Sequence, residues 1–189
     1  MLNSERRAEK YVLLDRDGVI NAERGDYTTT IDEWEWATGA LKGLRILTEH
    51  GYGIIVVTNQ SCIAKGRQTE EGLAVLNRYM IDTARSHGGD IFRVYHCPHY
   101  PPEECDCRKP KPGMIIEAAR DFDFDLSSTF FVGDTARDME AGNRAGTRTI
   151  LIEGLGTLRD SNLAAIPAEF RAGDLVEAAA ILLAEGGIG

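Results

Sequence analysis

What this 189-residue sequence lacks narrows the field first. It has no apolar run near the ~20 residues that a membrane-spanning helix requires. Its opening segment, Met1–Lys10, is polar and charged, without the apolar stretch of a secretory signal. Basic charge is in deficit: 21 Lys and Arg stand against 30 Asp and Glu, for a formal net charge of −9. A nucleic-acid binder normally carries a cationic face to neutralise phosphates, so that class is disfavoured. A local cluster of cations can still hold a small phosphorylated molecule against the global field. Cysteine is scarce as well, with four residues, and Cys97, Cys105 and Cys107 fall together. In a reducing compartment that grouping suits a metal site better than a disulfide framework. The expectation is a cytoplasmic monomer acting on a small molecule, with neither membrane nor nucleic acid as partner.

What is present is ordinary for a globular protein: 43% hydrophobic and 27% charged residues, which excludes global disorder. The length fits one domain over 1–189, with only Met1–Lys10 and Gly186–Gly189 expected to fray. Tyr11–Leu14 reads as a short buried strand ending at Asp15. Gly53–Val57 is a continuous, largely β-branched run suited to a central parallel strand. Further strands are expected over Ile91–Tyr95, Thr129–Val132 and Arg148–Ile152. Helices are expected over Gly39–His50, Glu70–Ser86 after a Thr69 cap, Pro112–Phe122, Ala136–Ala145 and Asp174–Ala184. This alternation predicts an α/β fold, a doubly wound parallel sheet with helices on both faces. Ligands in such sheets bind beyond the carboxyl ends of the strands, and three of those ends carry Asp15, Thr58 and Asp134.

The chemistry follows from the acids. Asp15 and Asp17 flank Arg16 on a turn that Gly18 permits, so both carboxyls can converge on one metal or one phosphate. A carboxylate attacks phosphorus only when the repulsion between anions is screened, and Mg²⁺ supplies such screening. A second carboxyl must protonate the leaving oxygen and then activate water. Gly133-Asp134-Thr135-Ala136-Arg137-Asp138 adds two acids on a strand end and the next helix. Thr58 and Asn59 offer neutral donors to phosphate oxygens, and Lys109 offers a fixed positive charge for the transition state. Each piece alone is commonplace; an acidic D-x-D-G turn is usually a solvated loop. Their joint order carries the signal.

A second metal pattern lies between the strands. Cys97-Pro98-His99 and Cys105-Asp106-Cys107 are separated by five residues, a C-x-H…C-x-C set. Three thiolates and one imidazole form a closed ligand set for structural Zn²⁺, with no position left for water. The loop runs directly into Arg108 and Lys109, so zinc would stiffen the backbone that delivers them. Trp34 and Trp36 read as packing residues, and His50 and His87 as helix-end histidines.

The ordered motifs resemble the haloacid dehalogenase superfamily over roughly Tyr11–Ile152. The resemblance implies Asp15 as nucleophile, Asp17 as acid–base residue, Thr58 and Lys109 in the second and third motifs, and Asp134 with Asp138 in the fourth. It further implies Mg²⁺ held by the Asp15 side chain, the Asp17 carbonyl and Asp134, with Asp138 acting through water. Retention of Asp17 points to phosphatases rather than dehalogenases or transport ATPases. The stretches Asp15–Asn21, Thr58–Gly66 and Cys105–Pro110 are similar to the branch that holds the heptose 1,7-bisphosphate 7-phosphatases and histidinol-phosphate phosphatases. That branch is capless, and it implies substrate contacts from Arg16, Glu23, Arg24, Gly25, Asp26, Asn59, Gln60, Ser61 and Arg108. A guanidinium at Arg108 suits a second phosphate better than a cationic amine, which favours removal of the 7-phosphate of D-glycero-D-manno-heptose 1,7-bisphosphate over histidinol phosphate. Two departures stand out: Cys62 replaces a usual Gly, and Thr135 follows Asp134 where some relatives have Lys. A phosphomutase or a zinc-stabilised binding module are the readings from other classes; the short chain and the intact set of acids argue against them.

Overall fold

A computed structural model describes residues 7–100, 104–154 and 167–186. Six strands form one parallel sheet: β1 (Lys10–Leu14), β2 (Tyr52–Asn59), β3 (Ile91–Cys97), β4 (Phe130–Gly133), β5 (Arg148–Ile152) and β6 (Phe170–Ala172). Their spatial order is β3-β2-β1-β4-β5-β6. The helices are α1 (Ala40–Glu49), α2 (Glu70–Ser86), α3 (Gly113–Phe122), α4 (Ala136–Ala145) and α5 (Leu175–Gly186). The doubly wound α/β architecture expected from the strand–helix alternation is therefore the one observed.

The central strand shows why both sheet faces need cover. Along β1, Val12 and Leu14 join the cluster that packs on α1, α2 and α5, while Tyr11 and Leu13 join the cluster beneath α3. Side chains alternate across a strand, so an unbroken apolar run must be buried on both sides. Val12, Leu13 and Leu14 are all fully buried. Helix α2 opens as its sequence suggests, with the Thr69 hydroxyl accepting from Gly72 N at 3.0 Å.

Chain order reverses between β1 and β4: β2 and β3 extend the sheet on one side, β4, β5 and β6 on the other. A crevice opens at such a switch point beyond the carboxyl ends of the strands. Asp15 and Asp134 are the residues that follow those two strands. Asp15 N donates to Val132 O at 2.8 Å, prolonging the pairing and fixing where the first acid starts.

Several boundaries differ from expectation for local reasons. Strands β2 and β3 continue to Asn59 and Cys97, because their pairing holds through Thr58↔His96 and Asn59↔Cys97. Thr58 is thus the penultimate residue of its strand. The short β6 and a 3-10 turn at Leu126–Ser128 escaped the sequence pattern. Three residues are too few to show a period of two. Part of the expected fraying is also absent: Lys10 pairs in β1, Arg7 donates to Phe122 O, and Gly186 ends α5. Residues 1–6 and 187–189 lie outside the described residues. No helix among the described residues is long and apolar enough to cross a membrane.

Candidate active site

The floor of the crevice begins with the turn after β1. Arg16 O accepts from Ile20 N at 2.8 Å and Asn21 N at 3.0 Å, while Gly18 N donates to Asn21 O at 2.8 Å. Gly18 has φ +85°, and a Cβ there would stand 2.0 Å from Asp134 Oδ2. Only glycine meets both demands, so the first acidic motif is shaped to admit the acid from β4. Gly133 does the same for Asp138, whose Cβ and Cγ would lie 2.3 and 2.7 Å from an added methyl.

Asp15, Asp134 and Asp138 bring carboxylate oxygens within 4.8 Å of one another, and all three residues are buried. Lys109 sits among them. Its Nζ lies 2.8 Å from Asp15 Oδ1 and 2.7 Å from Asp138 Oδ1, and donates to Val57 O at 2.9 Å. All three ammonium hydrogens are thereby engaged. Burial tends to lower the Lys109 pKa, but Asp138 and Asp15 outweigh it and raise the value above that of an ordinary lysine. The other Asp138 oxygen accepts from Thr135 N at 3.0 Å, capping α4.

One lysine does not balance three buried acids. Burial, reinforced by Asp138 and Asp17 against the pull of Lys109, pushes Asp15 up to about 7. Burial, with Asp138 and Asp15 beside it, pushes Asp134 up to about 9. Oxygen donors that resist ionising together fit a hard divalent cation such as Mg²⁺, which would restore their charged forms. Asp17 behaves oppositely. Burial works to raise it, but the Arg16 charge and hydrogen bonds from Arg16, Asn21 and Gln60 hold it below the usual carboxylate range. Arg16 Nη2 and Asn21 Nδ2 each lie 2.9 Å from Asp17 Oδ1, and Gln60 Nε2 lies 2.8 Å from Oδ2.

The Cys–His cluster stands beside this floor. Cys97 Sγ is 3.5 Å from His99 Nδ1 and 3.8 Å from Cys105 Sγ, and His99 Nδ1 is 3.3 Å from Cys107 Sγ. Ligands around tetrahedral Zn²⁺ at their usual bond lengths stand about 3.5–3.8 Å apart, so the donor set fits that ion. Lys109 is carried from the cluster to the floor by a clamp. Asn59 Nδ2 donates to Lys109 O and Asn59 Oδ1 accepts from Lys109 N, both at 3.1 Å. Arg108 Nη1 donates to His99 O at 2.9 Å, which ties its guanidinium to the same loop.

Above the floor is a cavity of about 470 Å³. Its rim carries Glu23, Gly25, Asp26 and Ser61, together with Tyr27, Lys65, Arg67, Arg108 and Arg137. Lys65 Nζ donates to Tyr27 Oη at 2.8 Å and lies 4.1 Å from the Tyr100 ring centroid. Arg67 grips Asp26 through two contacts of 2.6 and 2.7 Å. That pairing holds Asp26 down at about 2.

A HAD-hydrolase-like family profile matches residues 106–178. A D-glycero-beta-D-manno-heptose-1,7-bisphosphate 7-phosphatase from Neisseria meningitidis is 39% identical over 143 residues, 76% of each chain. A D-glycero-alpha-D-manno-heptose-1,7-bisphosphate 7-phosphatase from Photorhabdus laumondii is 41% identical, covering 72% of this chain and 78% of its own. The chain belongs to the HAD-like hydrolase family. A solved structure of D,D-heptose 1,7-bisphosphate phosphatase from B. bronchiseptica, complexed with magnesium and phosphate, superposes with a TM-score of 0.88 at 33% identity. That match covers 93% of this chain and 99% of the other.

Not every residue expected at the substrate reaches the pocket of this HAD-like hydrolase. Arg16 is 1% exposed, paired with Asp17 and stacked 5.8 Å from the Trp34 ring centroid, so it lies behind the acid rather than before it. Gln60 is buried beneath Asp17 and Thr58. Arg24 donates to Glu33 O at 2.5 Å and is absent from the lining. Asn59 lines the pocket, but its amide is committed to the Lys109 backbone. Conversely, Tyr27, Lys65, Arg67 and Arg137 line the pocket without having been singled out. Their signal was available in part: Lys65 and Arg67 place two cations within six residues of the Thr58–Ser61 stretch. Trp34 and Trp36 do pack, edge to face at 5.4 Å.

Proposed function

We propose that this HAD-like hydrolase removes a phosphate monoester through a phospho-aspartate on Asp15, and that its substrate is D-glycero-D-manno-heptose 1,7-bisphosphate, cleaved at the 7-phosphate. The observation that carries the chemistry is geometric: Asp15, Asp134 and Asp138 converge at the strand ends around Lys109, which stands 2.8 Å from Asp15, and Asp17 lies two residues away on the same turn. Without metal, burial keeps Asp15 protonated; a cation held beside it would restore the carboxylate that attacks, and the arriving phosphate dianion would favour the proton on Asp17.

In the first step an Asp15 oxygen attacks phosphorus and the bond from phosphorus to the sugar oxygen breaks. Asp17 passes a proton to that oxygen. Its Arg16 partner favours the carboxylate, but an arriving phosphate dianion raises its affinity for a proton. In the second step Asp17 takes a proton from water, which attacks phosphorus and frees the Asp15 carboxylate. Lys109 fixes Asp15, and Thr58 donates to a phosphoryl oxygen. Mg²⁺ held by Asp15, Asp134 and the Asp17 carbonyl, with Asp138 reached through water, supplies screening of the phosphate charge. Cys97, His99, Cys105 and Cys107 would hold Zn²⁺, which would stiffen the loop that presents Arg108 and Lys109.

The bisphosphate reading is supported by the rim. Lys65, Arg67, Arg108 and Arg137 surround the cavity above the floor, a setting for a second phosphate. Histidinol phosphate would bring a cationic amine to the same place. We also read residues 1–189 as one catalytic domain working as a cytoplasmic monomer. A thiolate-rich zinc set suits a reducing compartment. The test compares kcat/KM for both anomers of the heptose bisphosphate, the corresponding heptose 7-phosphate and histidinol phosphate. The bisphosphate should lead by at least roughly tenfold, the worth of one distal charged contact. Equal turnover of histidinol phosphate would refute the substrate assignment.

A further inference from the structure

Gln60 touches both halves of the proposed machinery without entering the pocket. Its Nε2 lies 2.8 Å from Asp17 Oδ2 and 2.9 Å from Thr58 Oγ1. Its backbone N donates to Cys97 O at 2.7 Å, pinning the residue to the end of β3. The amide orientation is dictated by its partners. Asp17 is ion-paired with Arg16 at 2.9 Å and can only accept, so the reversed amide would set two acceptors together with no proton between them. Cys62 adds a second constraint, its Sγ standing 3.5 Å from Gln60 Oε1 as a donor.

Both amide hydrogens are therefore spent, one on each neighbour. The Thr58 oxygen must accept, which leaves its own proton to be donated elsewhere. Thr58 lines the pocket, and no acceptor for that proton is seen among the described residues. We propose that Gln60 is a positioning residue that sets the polarity of the Thr58 hydroxyl, turning its proton toward the transferring phosphoryl group while it aims Asp17 at the leaving oxygen. This rests on the phospho-aspartate reading above. A glutamine two residues beyond the threonine can serve both groups because Thr58 is the penultimate residue of a strand held by β3 and Gln60 is the first residue past it.

The two contacts can be separated by the leaving group. Hydrolysis of p-nitrophenyl phosphate needs no proton from Asp17, whereas the heptose bisphosphate does. Gln60→Met keeps the side chain's length and removes both donors. It is expected to lower kcat/KM for the heptose bisphosphate by roughly 10²-fold and for p-nitrophenyl phosphate by roughly tenfold. Gln60→Glu can still bond to Thr58 but accepts from it, drawing the proton out of the pocket. It should be at least as impaired as Gln60→Met, whereas a packing role would favour the closer isostere. Thr58→Val removes the hydroxyl with little change of shape and carries the test if a Gln60 variant does not fold. Its loss should be similar, roughly tenfold, on both esters. Equal losses on the two esters for Gln60→Met, near-normal rates for Gln60→Glu, or unchanged rates for Thr58→Val would each overturn the proposal. A hydroxylamine-labile phosphate trapped on Asp15 by acid quench would uphold the phospho-aspartate whatever these variants do, so the two ideas can fail separately.

Discussion

On the pocket floor Lys109 is 2% exposed and each ammonium hydrogen meets an oxygen at 2.7–2.9 Å. On the rim, Arg67 and Asp26 make contacts just as short with 50% and 63% of their side chains in solvent. The distances are alike and their consequences differ. Buried charges that lose a partner cannot turn to water, so the floor is rigid and each group depends on the others. Exposed charges exchange partners readily, so the rim can be tuned for the far end of a substrate without disturbing the reaction.

The contrast can be broken first at the floor. Asp15→Asn should lower kcat/KM by at least roughly 10³-fold on every ester, because no other group occupies the attacking position. Lys109→Met removes the cation from three buried acids. It should cost about 3–5 kcal/mol in stability, read from denaturant unfolding, as well as activity. An active, fully stable Lys109→Met protein would show that the floor is no more interdependent than the rim.

The junction between floor and rim should respond next. Stripping zinc with a chelator, or Cys107→Ser, should lower Tm and reduce activity through Lys109 and Arg108 together. Purified protein with no stoichiometric zinc would remove this link. At the rim, Arg108→Ala should raise KM for the bisphosphate roughly tenfold and leave a monophosphate almost unchanged. Arg67→Ala should change either substrate by no more than about threefold, the ordinary yield of an exposed pair.

The acids also give a pH signature. Asp15 and Asp134 are raised to about 7 and about 9, so between pH 4 and 7 the folded protein holds protons that the unfolded chain has released. Magnesium-free protein should therefore lose stability as pH rises through that window. Added Mg²⁺ should raise Tm more at pH 8 than at pH 5. A magnesium-free Tm that climbs from pH 5 to 7 would contradict the assignment.

The floor was legible in the sequence because strand ends impose it. Asp15 follows an apolar run that can only be a buried strand, and the Gly133–Asp138 segment joins a strand to a capped helix. Once those strands are parallel neighbours, their acids must meet. The rim was less legible because its partners come from separate loops. Nothing local to Lys65 announces Tyr27 and Tyr100, which lie far from it in sequence. Arg16 and Gln60 were misplaced for a related reason. Adjacency to catalytic residues suggests the substrate side, while the direction of a side chain from a tight turn is settled only by packing against Trp34 and Thr58.

The account turns on a covalent phosphate at Asp15. Rapid acid quench during turnover of the heptose bisphosphate, followed by peptide mass analysis, tests it directly. A hydroxylamine-labile phosphate on the peptide bearing Asp15, absent from Asp15→Asn, is the predicted result. Phosphate on another residue, or undiminished turnover by Asp15→Asn, would contradict it.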